Sequence, residues 1–356
     1  MELANLKTMG MEAVDVEQQK MFWPILEAMK RGVKIDTKRR AAFAEELMME
    51  MEKREEFFID ILGHAFNPRS PTQMAKLFYE DLNQPVIHRR GKKGIPGGVT
   101  CDESALVKIA EREPILRPFI RRLTEYRSLG VFLSTFVMAP LDVDGRMRTS
   151  YNICGTETFR LSSSKNAFES GANLQNIPKG GEEDDSDLVL PNVRKIFVPD
   201  TGWTIFDTDL SKADLRIVVW ESGEMEMKAM LAEGRDPYVE TAREFYHDPT
   251  INKLNSDGTE NHKYKTFKSF SHGSHYLGTP KGLAQRLGIS VKESEATQKW
   301  YFGKYPKIPQ WQKRIIEKVT KQHYVENAFG YRRYYFDRID EAVFRQAIAW
   351  IAQSSV

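Results

Sequence analysis

Apolar positions recur at helical spacing over most of the chain and at strand spacing over a few short stretches. Residues 17–31 put Phe22, Leu26 and Met29 on one side and stop at Gly32, which predicts a helix. Asp36 then reads as the N-cap of a long helix to about residue 62, carrying Phe43, Leu47, Phe57 and Ile61. Ser70-Pro71-Thr72-Gln73 is a capping box with Pro at the first helical position, so another helix starts there. Thr100 with Glu103 predicts the next cap, and residues 114–138 a further helix. Downstream, helical patterns begin after Asp209, after Asp236-Pro237, over 262–278, from Ser290 with Glu293 to about Phe302, over 309–322 and over 341–356. Strand-like alternation is confined to residues 145–153, to 193–198, to the apolar run that ends at Asp209, and to a hairpin-like segment over 324–335. The balance predicts an α+β fold that is mostly helical.

Charge changes this picture only once it is divided. The 356 residues carry a formal net charge of +2. Residues 179–250 hold 17 acids against 8 Lys and Arg, a net −9, whereas residues 258–338 hold 16 Lys and Arg against 6 acids, a net +10. An acidic block beside a basic one suits a site that handles both cations and polyphosphate, and two oppositely charged solvated faces would read the same way. No apolar run approaches the roughly 18 residues of a membrane span, and no signal-peptide pattern opens the chain, so the expectation is a cytoplasmic protein without membrane contact. Cys101 and Cys154 match no metal spacing and are expected to be reduced and buried.

Candidate chemistry gathers in four places. Asp209 falls between a predicted strand and a predicted helix, where a carboxylate can face a cleft and bind a hard cation such as Mg²⁺; by position alone the commoner role is a helix N-cap. Asp214, five residues on, projects from the first helical turn. Lys268, His272 and Tyr276 recur every four residues and share one helix face, offering a point charge, an imidazole and a ring that can stack on a base. Residues 156–164 and 173–178 crowd small hydroxyls, amides and Arg160 into an irregular segment, a composition suited to phosphate oxygens and to the minor-groove acceptors common to all base pairs. A cationic, glycine-rich stretch with Arg89, Arg90, Lys92 and Lys93 could follow a phosphate backbone without reading sequence.

In order and spacing these residues resemble the family A DNA polymerases, the DNA polymerase I type, and especially their phage members. The resemblance rests on Thr-x-Thr-x-Arg-Leu-Ser-Ser-Ser (156–164), Asn-Leu-Gln-Asn-Ile-Pro (173–178) and Asp-x-Ser-x-x-Asp-Leu-Arg (209–216). Gly-Arg-Asp-Pro-Tyr (234–238), Lys-x-x-x-His-x-x-x-Tyr (268–276) and Tyr-Val-Glu-Asn-Ala-Phe-Gly-Tyr-Arg-Arg-Tyr (324–334) extend it, in register from about residue 15 to 356. It implies a right-hand polymerase fold, with an N-terminal extension and thumb over 1–140, the first part of an antiparallel palm over 141–220, fingers over 221–325 and a return to an incomplete palm over 326–356. It implies Mg²⁺-dependent transfer of a nucleotide from a dNTP to a primer 3′-hydroxyl, in viral or bacterial-type DNA replication, with two ions in the complete enzyme.

The resemblance also implies roles. Asp209 and the carbonyl of Leu210 would hold metal, and Lys268 would grip the triphosphate and serve catalysis. Asp214, Tyr238, His272 and Tyr276 would contact the nucleotide or templating position, and Arg160, Asn173, Gln175, Asn176 and Gln353 the primer-template. Some positions depart from the pattern. Asp214 stands for the usual Glu, His272 for Phe or Tyr, Tyr238 for a His, and Tyr264 for a triphosphate-binding Arg, with Lys263 and Lys265 as candidate replacements. The family's second catalytic carboxylate, in a His-Asp-Glu motif, would fall beyond Val356. The expectation is therefore a fragment, a catalytically incomplete primer-template-binding module, or half of a split polymerase completed in trans by the missing palm segment.

Overall fold

A computed structural model of the chain describes residues 7–89, 91, 97–178, 181–182 and 189–356. Among them, Arg89 can be placed, whereas Arg90, Lys92 and Lys93 lie outside the described residues, as does most of the acidic loop. The chain divides into two compact units. One comprises Trp23–Asn152 and Ser162–Phe206; the other comprises Met1–Phe22, Ile153–Leu161 and Asp207–Val356.

The first unit is built on the long helix Thr37–Leu62. The Asp36 carboxylate accepts from the Arg39 backbone N–H at 3.0 Å, and Gly63 closes the helix with φ 71°, a left-handed conformation that glycine adopts without Cβ strain. Against it packs the helix Arg117–Phe132. At one end Phe58, Phe78, Leu106, Ile109, Phe119, Leu123 and Tyr126 form a core rich in edge-to-face rings. At the other, Leu47, Leu129, Phe132 and Val137 pack with Ile35, Met147, Val193 and Ile196. There a small antiparallel sheet has Val33–Ile35 at its centre, pairing Val33 with Met147 and Ile35 with Phe197. Glu125 is buried between three arginines: Arg54 Nε at 2.9 Å, Arg122 Nη1 at 3.0 Å and Arg121 Nε at 3.3 Å.

The second unit carries two cores. Leu215, Val219, Tyr238, Ile251, Tyr264, Phe267, Phe270, Tyr301 and Tyr305 make one. Val218, Trp311, Val319, Val325, Ala347, Ile348 and Trp350 make the other, around the helices Lys307–Gln322 and Glu341–Ser354 and the hairpin that pairs Tyr324–Glu326 with Arg332–Tyr334. The helix Ala213–Ser222 serves both, because Leu215 and Val219 face one core and Val218 the other.

Five local expectations are corrected. The predicted 17–31 helix is two, Glu12–Lys20 and Phe22–Arg31, separated at Met21. Asp102, not Thr100, caps the helix Glu103–Arg112: its carboxylate accepts from the Ala105 N–H at 3.0 Å while Thr100 donates to it at 2.9 Å. Residues 193–196 form a short tight helix, and only Phe197–Val198 pair as a strand, because the Asn192 side chain caps the Arg194 N–H and turns the backbone. The strand expected to end at Asp209 is not formed: residues 203–210 pair with no strand among the described residues, and Ile205, Phe206 and Leu210 are exposed. An apolar run becomes a strand only where another strand satisfies its backbone groups, and that condition is not local. Cys154 is likewise exposed rather than buried, while Cys101 is half-buried, and neither forms a disulfide with a described residue. No described helix is long and apolar enough to cross a membrane.

One buried group predicts a pH dependence. His275 is fully enclosed, its Nε2 2.7 Å from the Tyr301 hydroxyl, and burial pushes its imidazole down from 6.5 to about 3. Between these values the unfolded chain binds a proton that the folded chain refuses, so stability falls as pH drops through that window, by up to about 1.4 kcal/mol per unit. Urea midpoints measured from pH 7 to pH 4 should decline more steeply for the wild type than for His275→Gln. Parallel declines would contradict this.

Candidate active site

The site is built on the N-terminal turns of three helices of the second unit. The first is Ala213–Ser222. Its entry is tight, with Lys212 in the left-handed region at φ 56°, a conformation that costs a residue bearing a Cβ. Lys212 Nζ is tied at 3.2 Å to Asp236, which itself caps the second helix, Pro237–Tyr246, by accepting from the Tyr238 N–H at 3.0 Å. One carboxylate thus fixes two helix starts. The third helix, His262–His275, begins at the Asn261 cap, whose side chain accepts from the Tyr264 N–H at 3.1 Å. A Cβ at its Gly273 would lie 2.5 Å from Leu283 Cδ2 and 2.7 Å from Arg286 Nη2, so both side-chain ends would have to shift.

These helices and the loops beside them border a cleft of about 430 Å³, lined by residues that include Asp209, Asp214, Asp236, Tyr238, Lys253, Lys268 and His272. Five of the sequence candidates, Asp209, Asp214, Tyr238, Lys268 and His272, therefore meet. Lys268 is exposed, with Nζ 5.8 Å from the centroid of the Tyr264 ring one turn back, and it makes no ion pair with a described residue. Tyr264 is buried and its phenol is pushed up to about 12, chiefly by that burial. It serves as an apolar platform rather than a charge. Tyr238 is buried in the adjoining core, which raises its phenol well above the usual range, so it enters the cleft as part of the wall.

Asp214 is the hub of a small network. Its Oδ1 lies 3.4 Å from Arg160 Nη2, and its Oδ2 accepts from the Tyr276 hydroxyl at 3.3 Å. Arg160 Nε also donates to the Gln353 backbone carbonyl at 3.2 Å. Tyr276 meets His272 edge to face, with centroids 4.8 Å apart. Burial, and then the negative Asp214, hold the Tyr276 phenol protonated. Burial holds the His272 imidazole below its usual value against the pull of Asp214, which leaves it neutral at pH 7. The Arg160–Asp214 pair is partly exposed and worth only about 0–1 kcal/mol, so an entering ligand can displace it at small cost.

Asp209 and Leu210 are exposed, and Asp209 has no partner among the described residues. Among those residues no group of three or more His, Cys, Asp or Glu could hold a metal ion. Mg²⁺ takes six oxygens, retains several as water, and is often held by one or two carboxylates plus substrate phosphates. The Asp209 carboxylate and Leu210 carbonyl suit one such ion; they do not by themselves compose a two-ion centre.

In the first unit, Asn173 is structural in its contacts: its side chain accepts from Ser163 Oγ at 2.5 Å and from the Gln175 N–H at 3.0 Å, capping the turn Leu174–Asn176. Gln175, Asn176 and Arg89 are exposed. The sequence reading missed Lys212, Asp236 and Lys253 as cleft residues. Asp236 was in plain view inside a quoted motif, whereas Lys253 carried no signal, being a lone lysine in a polar loop.

Comparison with known proteins supplies the setting. The model of the DNA polymerase family A matches residues 37–356. The thermostable DNA polymerase I of Thermus filiformis is 31% identical over 310 residues, 85% of this chain and 34% of the relative. DNA polymerase I of Geobacillus stearothermophilus is 29% identical over 308 residues, again 85% of this chain and 32% of the relative. The chain thus spans about a third of the length of these relatives. A solved structure of the POL domain of Pol1 from M. smegmatis, in complex with DNA primer-template and dNTP, superposes with a TM-score of 0.76 at 23% identity. It covers 98% of this chain and 59% of that one, giving an α+β polymerase-domain fold. The chain belongs to the DNA polymerase family A.

Proposed function

We propose that this chain carries the nucleotide-binding half of a DNA-templated DNA polymerase that adds dNTPs to a primer 3′-hydroxyl with Mg²⁺, in phage or bacterial-type replication. The observation that supports it most is the single cleft in which the Asp209 carboxylate meets the Lys268 ammonium, neither with an ion-pair partner among the described residues, beside a neutral imidazole, His272. Phosphoryl transfer needs positioning and charge neutralisation more than covalent help, and these groups supply both. On this reading residues 1–140 form the extension and thumb, 141–220 and 326–356 contribute to the palm, and 221–325 make the fingers.

Lys268 binds triphosphate oxygens and can return a proton to the departing pyrophosphate. Asp209 with the Leu210 carbonyl would hold a Mg²⁺ ion, whose chemistry is to neutralise phosphate charge and favour the deprotonated 3′-hydroxyl. Tyr276, whose hydroxyl donates to Asp214, stacks at the templating position, and Asp214 faces the incoming sugar. Arg160, Gln175, Asn176 and Gln353 hold primer and template near the nascent pair, with Asn173 shaping that turn and Arg89, Arg90, Lys92 and Lys93 adding sequence-independent attraction.

The test is ternary-complex formation. With a dideoxy-terminated primer-template and Mg²⁺, the chain should bind the complementary dNTP in preference to the three mismatched ones. Equal binding of all four, or none by the folded chain, contradicts the proposal. His272 makes a sharper prediction, because it is half-buried in the cleft wall beside Tyr276. His272→Tyr should change the ratio of deoxy- to dideoxynucleotide binding by several-fold, and an unchanged ratio would remove His272 from the sugar pocket.

A second reading has its own observation, the lack of a carboxylate cluster fit for two ions among the described residues. On that reading the chain binds primer-template and dNTP without extending the primer unless another polypeptide segment adds a carboxylate.

A further inference from the structure

The cleft has a second cation that neither motif nor spacing marks. A nucleoside triphosphate is multiply anionic, and the single ammonium of Lys268 leaves most of that charge unanswered. Nearby lysines are committed elsewhere. Lys212 Nζ is 3.2 Å from Asp236, Lys263 Nζ is 2.8 Å from Asp248, and Lys265 Nζ is 4.0 Å from Glu260. Lys263 and Lys265, the replacements suggested by sequence, are not among the described residues that line this cleft, and each has a carboxylate neighbour. Lys253 is exposed, lines the cleft with Lys268, and makes no ion pair with a described residue.

Its position is fixed although it lies on a loop. On one side Arg243, from the helix Pro237–Tyr246, donates to the Ile251 carbonyl and to the Asn252 side chain, both at 2.7 Å, and Ile251 is buried in the core. On the other side the Lys253 carbonyl accepts from the N–H of Asn261, the residue that caps the Lys268 helix, at 3.0 Å. A bridge between Leu254 and Glu260 and the Asn255 N–H to Thr259 carbonyl bond at 2.8 Å close the loop behind it. Lys253 is thereby registered against the start of the helix that carries Lys268. Pinning the backbone this way reduces the ordering cost of the lysine to its own side-chain rotamers.

We infer that Lys253 is a second phosphate-binding residue for the incoming nucleotide, acting with Lys268 across one cleft. This rests on the nucleotide-binding reading above. Two lysines on separately anchored elements would recognise the polyphosphate by charge and reach and would ignore base identity. The loop would then contribute to affinity for triphosphates over monophosphates and not to template-directed choice.

The test uses the full chain with a dideoxy-terminated primer-template and Mg²⁺, titrated with the complementary dNTP and, separately, with its monophosphate. Lys253→Ala should weaken triphosphate binding by about 10- to 150-fold, the loss of one charge-assisted bond, while monophosphate binding and preference among bases stay as in the wild type. Lys253→Arg should stay within about 3-fold of wild type, and Lys263→Ala, whose partner is Asp248, should be unchanged. Wild-type affinity in Lys253→Ala, while Lys268→Ala binds weakly, overturns the inference and leaves the functional reading standing. Equal losses in Lys253→Ala and Lys263→Ala also overturn it, because they signal bulk charge. Failure of the folded wild type to bind any dNTP overturns the functional reading, and this inference with it.

Discussion

Lys268→Ala is expected to weaken binding of the complementary dNTP by about 10- to 150-fold, the range for losing a charge-assisted bond worth about 1.5–3 kcal/mol. The reason is local. Lys268 stands over the Tyr264 ring, facing a cleft with no carboxylate paired to it, so its charge is available in the free protein. A phosphate that binds Lys268 thus breaks no ion pair between that lysine and a described residue, in contrast to Lys212 with Asp236. Primer-template affinity without dNTP should change little. Fluorescence titration of dNTP into the binary complex measures both. Unaltered dNTP affinity would mean that the triphosphate lies elsewhere.

Glu125→Leu should have the largest effect on stability, about 3–5 kcal/mol, because it leaves arginine charge without its buried carboxylate. Arg54 and Glu125 are 5% and 2% exposed, and Arg121 and Arg122 close on the same carboxylate. Glu50, at 2.7 Å from Arg54 Nη1, retains part of the compensation. The double change Arg54→Met with Glu125→Leu should recover most of the loss, since the penalty comes from an unpaired buried charge rather than from a missing attraction. Guanidinium denaturation of the wild type and the two variants reads this directly. A single variant as stable as wild type would show that solvent reaches Arg54.

What the sequence disclosed, it disclosed through local chemistry. The Asp36, Ser70 and Ser290 caps form as read, since each depends on a side chain reaching a backbone N–H three residues on. The shared face of Lys268, His272 and Tyr276 follows from helical period alone, and Asp214 joins it through Tyr276. Non-local terms decided the rest. Ile205 and Phe206 have strand-like chemistry but no ladder to join, and Val193 lost its strand to the Asn192 side chain. Lys253 was illegible because its place depends on Arg243 and Asn261 holding the loop from either side. Tyr264 reads as a missing charge in sequence and as an apolar support in the structure.

The central claim, that this cleft binds the template-matched nucleotide with Asp209 as its metal-facing carboxylate, is tested most directly by titrating the four dNTPs into a dideoxy-terminated primer-template complex with and without Mg²⁺. With Mg²⁺ the wild-type chain should bind the complementary dNTP in preference to the other three, and Asp209→Ala should lose the Mg²⁺-dependent part of that affinity while binding primer-template normally. Binding that is indifferent to Asp209→Ala, or to the identity of the templating base, would contradict the account.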